Sequence, residues 1–186
     1  IFPDKVYYNT ASGEFGDMQR SWTQSGQAVI APTYEASTYI KITCAGIGKN
    51  FRQYDSVTIE GCTNASLNKS VTIQQLTDND ITIIGVLDKQ FTQNSGLKLS
   101  RKIPDMDYVT ECDNRLWGCS SKNHEIYASK LGDPLNFSSY EGIASDSYAA
   151  TVGSDGDFTG AITHMGYVLF FKEDCFHKVF GNKPSN

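Results

Sequence analysis

The sequence predicts an all-β protein, and three observations support this. It contains 10 Tyr, 10 Phe and 16 Gly, and aromatic residues are enriched in strands. Its apolar runs are of strand length and are bounded by Asn, Gly, Ser, Asp and Pro. No stretch combines a sustained 3.6-residue apolar period with helix caps, and the most helical stretches, residues 16–23 and 157–165, would form only a turn or two. We expect propeller-like antiparallel hairpins, a partial β-propeller, with an inserted small β-barrel or sandwich module.

Composition limits the class of protein. The 186 residues, 39% hydrophobic and 20% charged, are typical of a soluble globular chain with one large or two small domains. The net charge of -5 and the isoelectric point near 5.1 argue against broad nucleic-acid binding, which needs clustered Lys and Arg. No apolar run approaches the ~18 residues of a membrane-spanning helix, so we expect no membrane segment.

Residues 1–32 form the first predicted segment, an N-terminal propeller-like β segment. Residues 5–8 are strand-like, residues 11–16 form a Gly- and Ser-rich turn, and a further apolar stretch runs from Trp22 to Ile30. The piece KVYYNTASGEFGDM at 5–18 is similar to EIYASKLGDPLNF at 125–137. Both place an aliphatic-Tyr strand before a Gly/Asp turn, which suggests an internal repeat.

Residues 33–100 differ from residues 1–32 in their sequence pattern and predict a separate inserted module. Five stretches have strand character: residues 38–43, 56–60, 70–75, 81–86 and 96–99. Apolar and polar residues alternate in VTIE at 57–60 and VTIQ at 71–74, as expected where one sheet face is buried. Five short strands at this spacing predict a small barrel or sandwich.

Residues 101–186 return to the sequence pattern of residues 1–32 and contain two predicted aromatic hairpins. One pairs residues 115–119 with 125–130 across a polar turn, and the other pairs 167–172 with 176–180. The hairpins lie about 50 residues apart, close to the period of propeller blades. We therefore expect propeller-like blades here. The absence of an initial Met and of a terminating element leads us to expect a fragment or processed piece of a longer protein.

The five cysteines predict free, partly buried thiols rather than a metal site. They are an odd number and include no CxxC pair, whereas zinc sites normally show short Cys or His pairs. Cys112 and Cys119 lie on adjacent predicted strands, and the sequence leaves their disulfide state open.

The sequence marks out no catalytic residues. No nucleophile elbow surrounds a Ser, the three histidines fit surface or strand positions, and no pair of acids has an apolar setting. Trp22, Trp117 and Tyr140 are candidates for a sugar-binding platform, although aromatics on alternating strand positions also fit core packing. Asp155 and Asp157 are candidates for a calcium site, or for a turn whose carboxylates bond their own backbone. We expect no cofactor.

Three motifs resemble structural proteins of tailed bacteriophages and prophages: NRLWG at 114–118, EIYASKLGDP at 125–134 and GSDGDFTG at 153–160. GYVLFFKED at 166–174 is similar to a following blade of the same proteins. The resemblance covers residues 103–186 and, more loosely, 38–100. It implies tail-associated β-propeller strands and a virion building block such as a nozzle, hub or minor structural component.

Two functions follow as hypotheses. The first is a non-enzymatic virion structural protein, made in the host cytoplasm, that contacts other tail proteins and assembles as a homo-oligomeric ring when full-length. The alternative is a carbohydrate-binding or receptor-binding β-module or, with less support, a glycan-cleaving enzyme. An exposed Trp22 or Trp117 beside paired acids would favour the alternative, and buried tryptophans would oppose it.

Overall fold

The computed structural model describes residues 1–33 and 38–181, which form seventeen β-strands and one 3-10 turn at Ala65–Leu67. The strands are β1 (Val6–Tyr8), β2 (Phe15–Asp17), β3 (Arg20–Thr23), β4 (Ala28–Pro32), β5 (Tyr39–Thr43), β6 (Ser56–Glu60), β7 (Ser70–Leu76), β8 (Asp80–Ile84), β9 (Phe91–Gln93), β10 (Lys98–Arg101), β11 (Tyr108–Cys112), β12 (Arg115–Ser120), β13 (Glu125–Ala128), β14 (Tyr148–Thr151), β15 (Phe158–His164), β16 (Tyr167–Lys172) and β17 (Phe176–Val179). The all-β prediction is confirmed.

The chain divides into two compact units. Unit 1 contains Ile1–Gln19 and Ile103–Asn186, and unit 2 contains Arg20–Lys102. Unit 2 begins before the predicted module at residue 33 because β3 pairs with β10 and β4 pairs with β5 and β9. The last five residues of the predicted segment 101–186 lie outside the described residues.

Unit 2 is built on an eight-stranded sheet in the order β3-β10-β6-β7-β8-β5-β4-β9. The first part of β7 pairs with β6 and the second part with β8, with a register shift between Ile73 and Gln75. Strands on both sides of this irregularity contribute to one buried apolar cluster, through Ile59 and Leu99 on one side and Ile40 and Ile42 on the other. The sheet is therefore folded over a single core.

Of the two predicted alternatives, barrel and sandwich, a closed barrel does not form, because in the described part of the chain β3 and β9 end the sheet without pairing to each other. The predicted alternation is present at 57–60, where Val57 and Ile59 are buried, Thr58 is half-buried and Glu60 is exposed. At 71–74 it is absent, because Thr72 is buried together with Val71 and Ile73. The sequence missed β9, a strand of only three residues, because so short a run has too few positions to show a period.

Unit 1 contains the two-stranded sheet β1-β2 and two larger antiparallel sheets that follow one another along the chain, β11-β12-β13-β14 and β15-β16-β17. Both predicted hairpins are confirmed, as β12 pairs with β13 and β16 pairs with β17. The first two strands of each of these larger sheets are joined by a two-residue turn in which both residues have positive φ. These turns are Asp113-Asn114 between β11 and β12 and Met165-Gly166 between β15 and β16. This is the type I′ geometry that suits the twist of a hairpin.

The four-stranded and three-stranded sheets of unit 1 pack face to face. Trp117 and Cys119 of β12 share a buried cluster with Phe158, Val168 and Phe170 of the second sheet. The opposite face of the first sheet carries another cluster, in which Tyr127 is packed with Met18, Ile103, Met106 and Phe137. Both faces of the central strands β12 and β13 are thus buried.

Gly118 lies where the side chain of Met106 packs closely against this sheet. A Cβ atom at this position would lie 2.2 Å from Met106 Sδ, so any larger residue would displace the methionine from the cluster. The glycine of the NRLWG motif is therefore explained by packing.

Two smaller predictions failed. Residues 16–23 and 157–165 were the candidates for a helical turn, but the first contains the end of β2 and the strand β3. In the second, Phe158–His164 is the strand β15, paired with β16. The proposed copy at residues 5–18 is a complete hairpin of β1 and β2, whereas residues 125–137 form one strand, β13, followed by a turn with an isolated bridge between Lys130 and Asp133. The two similar sequence segments, 5–18 and 125–137, therefore form different structures.

Candidate functional site

Trp22 and Trp117, the tryptophans considered for sugar binding, are buried core residues. Trp22 is 8% exposed and its indole Nε1 donates a hydrogen bond to the Ala45 carbonyl at 3.1 Å. Trp117 is 4% exposed and donates to the Cys112 carbonyl at 3.3 Å. A sugar stacks on an open ring face, and neither ring offers one.

Tyr140 is the one aromatic candidate of the three that stays exposed. Its hydroxyl donates to the Phe137 carbonyl, three residues earlier, at 3.1 Å. The hydroxyl is therefore engaged by its own loop. The structure does not bring Tyr140 together with the two tryptophans in a platform, because both of those are buried.

Asp155 and Asp157, the metal candidates, are exposed. Among the described residues no group of three or more His, Cys, Asp or Glu side chains is arranged to hold a metal ion. Asp146, which lies close to them in sequence, is buried and faces its own loop instead.

The carboxylate of Asp146 holds together its own loop, residues 139–146. Its Oδ2 accepts backbone N–H bonds from Glu141 at 2.7 Å, Gly142 at 2.6 Å and Ile143 at 3.0 Å, and its Oδ1 accepts the hydroxyl of Ser139 at 3.0 Å. Burial alone would raise the pKa of Asp146, but these hydrogen bonds together lower it. The carboxylate is held charged by backbone donors.

Arg115 joins the same loop to the four-stranded sheet. Arg115 is 2% exposed, and its guanidinium donates to three carbonyls, those of Ser129 at 2.7 Å, Asp146 at 2.5 Å and Ala144 at 2.8 Å. Burial lowers the pKa of Arg115, but a guanidinium remains charged in proteins. Its contacts show a structural role that nothing in the sequence around it indicated.

Ser154 and His177 form a pair that sequence reasoning did not connect. Ser154 Oγ and His177 Nε2 lie 2.7 Å apart. The buried Lys172 donates from Nζ to the Ser154 carbonyl at 2.6 Å and lies 4.8 Å from the centroid of the Phe158 ring. No carboxylate hydrogen-bonds to His177 within residues 1–33 and 38–181, so the pair lacks the third group of a catalytic triad.

The cysteines are free thiols. Cys112 and Cys119 do not face each other, since Cys112 is opposite Arg115 and Cys119 is opposite Tyr108 in the β11–β12 pair. Burial raises the pKa of Cys119 to about 12. A buried thiol of high pKa is a packing group rather than a nucleophile.

The exposed side of the β15-β16-β17 sheet is its most unusual feature. Side chains alternate across a strand, and the register places one set on the side away from the buried cluster. We call this side the outer face, and it consists of Gly160, Ile162, His164, Tyr167, Leu169, Phe171, Phe176, Lys178 and Phe180.

The outer face is open and, apart from His164 and Lys178, apolar. Phe180 is 75% exposed, Phe176 59%, Ile162 51%, Tyr167 39% and Phe171 37%. The aromatic rings touch one another, with centroids 5.8 Å apart for Tyr167 and Phe180 and 6.1 Å apart for Phe171 and Phe176. Exposed apolar side chains that form a contiguous patch mark an interaction surface more often than scattered ones do.

Lys178 is the one Lys, Arg, Asp or Glu residue of the outer face. Its Nζ lies 3.6 Å from the Tyr167 ring centroid and 4.7 Å from that of Phe180. The ammonium is therefore held by cation–π contacts within its own sheet. The positive charge does not interrupt the apolar surface, because it lies against the rings.

A sequence signal for the outer face was present but was interpreted only as a strand. The run YVLFF at 167–171 is apolar at both odd and even positions, whereas a strand with one solvated face alternates. Such a run predicts that both faces are covered. In the structure Val168 and Phe170 are covered and Tyr167 and Phe171 are not.

Comparison with known proteins gives no assignment. No protein-family model matches the sequence. No curated protein resembles it at a significant level. Within the described residues, no helix has the length and apolar character needed to cross a membrane.

Proposed function

We propose that the protein is a non-enzymatic structural component of a bacteriophage or prophage tail, and that it acts through contacts between subunits. The observation that carries the proposal is the outer face, an open apolar surface on the last of two face-to-face packed sheets. A surface of this kind suits permanent protein contacts, which are more apolar than transient ones. Nozzle, hub and minor structural component remain the alternatives for its position in the tail.

The residues that carry the resemblance to tail proteins support the proposal through their packing. Trp117 lies between the two sheets, Gly118 lies against Met106, and Arg115 fixes the loop before β14. The meander β11-β12-β13-β14 has the four antiparallel strands of a propeller blade, and β15-β16-β17 repeats the first three. We expect motifs that form propeller blades in a structural subunit of this kind.

The alternative functions have less support. A carbohydrate-binding surface on Trp22 and Trp117 is opposed by their burial. Hydrolysis at the Ser154–His177 pair is not favoured either, because among the described residues no carboxylate orients the imidazole. The proposal further includes other virion tail proteins as partners, a homo-oligomeric ring in the full-length protein, and a location in the virion.

The proposal is tested on phage particles from the source strain. We expect mass spectrometry of purified particles to detect peptides of this chain in several copies per particle. Deletion of the gene should give particles with missing or incomplete tails by electron microscopy, and the wild-type gene should restore them. Complete particles from the deletion strain, with no peptide of this chain in wild-type particles, would reject the tail assignment.

A further inference from the structure

We infer that the outer face is a self-association surface, on which a second copy of this chain packs its own outer face. The contact is isologous, so that the same patch serves on both copies about a two-fold axis. The inference rests on the proposed function only in treating the outer face as a contact surface, and it does not require a tail.

The area of the patch matches what such a contact needs. If each large side chain has roughly 200 Å² of surface, the exposed fractions of Ile162, Tyr167, Phe171, Phe176 and Phe180 together present about 500 Å² of apolar area. A standard interface buries ~800 Å² per partner, of which ~60% is apolar. The outer face therefore supplies about the whole apolar share of one side of a stable interface.

The charge of the patch allows it to meet a copy of itself. Lys178 is the one Lys, Arg, Asp or Glu side chain on the outer face, and its ammonium is already held against Tyr167 and Phe180. Lys178 lies on β17, an edge strand of the sheet, where the ammonium can stay in contact with water. The exposed His164 lies on β15, at the opposite edge of the sheet. No acidic partner is needed opposite Lys178, and no unpaired charge is buried at the centre.

The same sheet already shows how its apolar faces pack. Its inner face, through Val168 and Phe170, lies on the antiparallel sheet that contains Trp117 and Cys119. The outer face has similar side chains in the same alternating arrangement. A second antiparallel sheet is therefore a suitable occupant, and the outer face of another copy is a sheet of that kind.

The test measures the mass of the 186-residue protein in solution. Sedimentation equilibrium or light scattering should show a dimer that dissociates with a Kd in or below the micromolar range, as interfaces of about this size do. The double variant Phe176→Thr/Phe180→Thr removes two of the most exposed rings and keeps β propensity. We expect its Kd to rise at least about 30-fold, the factor for losing one buried aromatic anchor.

The matched control is Ile84→Thr/Val86→Thr in unit 2. These side chains are 55% and 72% exposed, against 59% and 75% for Phe176 and Phe180. The control should dimerise like the wild type. An equal loss of dimer in the control would overturn the inference, as would a wild-type protein that stays monomeric at about 100 µM.

A second measurement needs no variant. Hydroxyl-radical footprinting of the wild-type chain should show Phe176 and Phe180 becoming protected as the protein concentration rises, while the exposed Tyr54 does not change. Concentration-independent labelling of both phenylalanines would overturn the inference. A monomeric chain found in phage tails would leave the proposed function intact, and a dimeric chain absent from particles would remove the proposed function alone.

Discussion

Arg115 Nη1 donates a hydrogen bond of 2.5 Å to the main-chain carbonyl of Asp146, and thereby ties the first residue of β12 to the loop before β14. The loop is also closed from within, since the Asp146 carboxylate accepts three backbone N–H groups. Two buried charged side chains thus replace regular strand pairing in this part of unit 1. Their energetics can be measured separately.

The first prediction concerns Arg115. Arg115→Met keeps much of the side-chain volume but leaves three buried carbonyls without their donor. We expect the free energy of unfolding to fall by about 3–5 kcal/mol, measured by urea denaturation. Arg20→Met, on the shorter strand β3 and only half-buried, is the control. An equal and small effect of both variants would contradict the role given to Arg115.

The second prediction is a pH dependence from Asp146. Its pKa in the folded state is lowered, so the carboxylate stabilises the fold fully above the unfolded-state pKa of about 3.9. This contribution is lost as the pH falls through the lower, folded-state pKa. Asp146→Asn should be less stable than the wild type at pH 7 by about 2–3 kcal/mol and should lose less stability on acidification.

The control for this titration is Asp157→Asn. Asp157 is exposed, and the variant should follow the wild-type curve of unfolding free energy against pH. Parallel curves for the wild type and Asp146→Asn below pH 4 would show that another group causes the acid transition.

The third prediction concerns the ion pair of Asp55 and Arg101 in unit 2. Arg101 Nη1 lies 2.7 Å from Asp55 Oδ1, and the two side chains are 4% and 7% exposed. Arg101→Met leaves a buried carboxylate without its cation and should destabilise unit 2 by about 3–5 kcal/mol. The next residue offers the control: Lys102 pairs with Glu60 at 2.8 Å with both side chains largely exposed, so Lys102→Met should leave the unfolding midpoint nearly unchanged.

The fourth prediction concerns Trp117. Because the ring is 4% exposed and lies 6.3 Å from the ring of Tyr148, Trp117→Ala should cost about 3–5 kcal/mol, measured by thermal or chemical unfolding. Trp117→Phe should cost less because it leaves a smaller cavity. Tyr140→Ala, at an exposed aromatic of the same unit, is the control. Full thermal stability of Trp117→Ala would contradict the packing of the two sheets.

The fifth prediction concerns thiol reactivity. Cys44, Cys62, Cys112 and Cys119 are buried, and Cys175 is exposed in the turn between β16 and β17. Ellman's reagent should therefore modify Cys175 rapidly in the native protein and all five thiols after unfolding in guanidinium. Cys175→Ser should abolish the rapid phase. A fast reaction at Cys119 would be inconsistent with its raised pKa.

The sequence could predict the strands whose pairing is local. The β12–β13 and β16–β17 hairpins were predicted because each has apolar strands close together around a polar turn. The long-range pairs were not predictable in this way. β3 pairs with β10 and β4 with β9, and no pattern inside either strand specifies a partner so distant in the chain.

For the candidate site, the sequence by itself determined that YVLFF at 167–171 would form a strand apolar on both sides. Only the tertiary structure decided which side is covered, because burial depends on what else packs there: Val168 and Phe170 meet the sheet containing Trp117, and Tyr167 and Phe171 remain open. It likewise decided that Trp22 and Trp117 are core and that Arg115 and Asp146 are buried. A side chain's chemistry is fixed by the sequence, whereas its solvent exposure is set by neighbours contributed by distant parts of the chain.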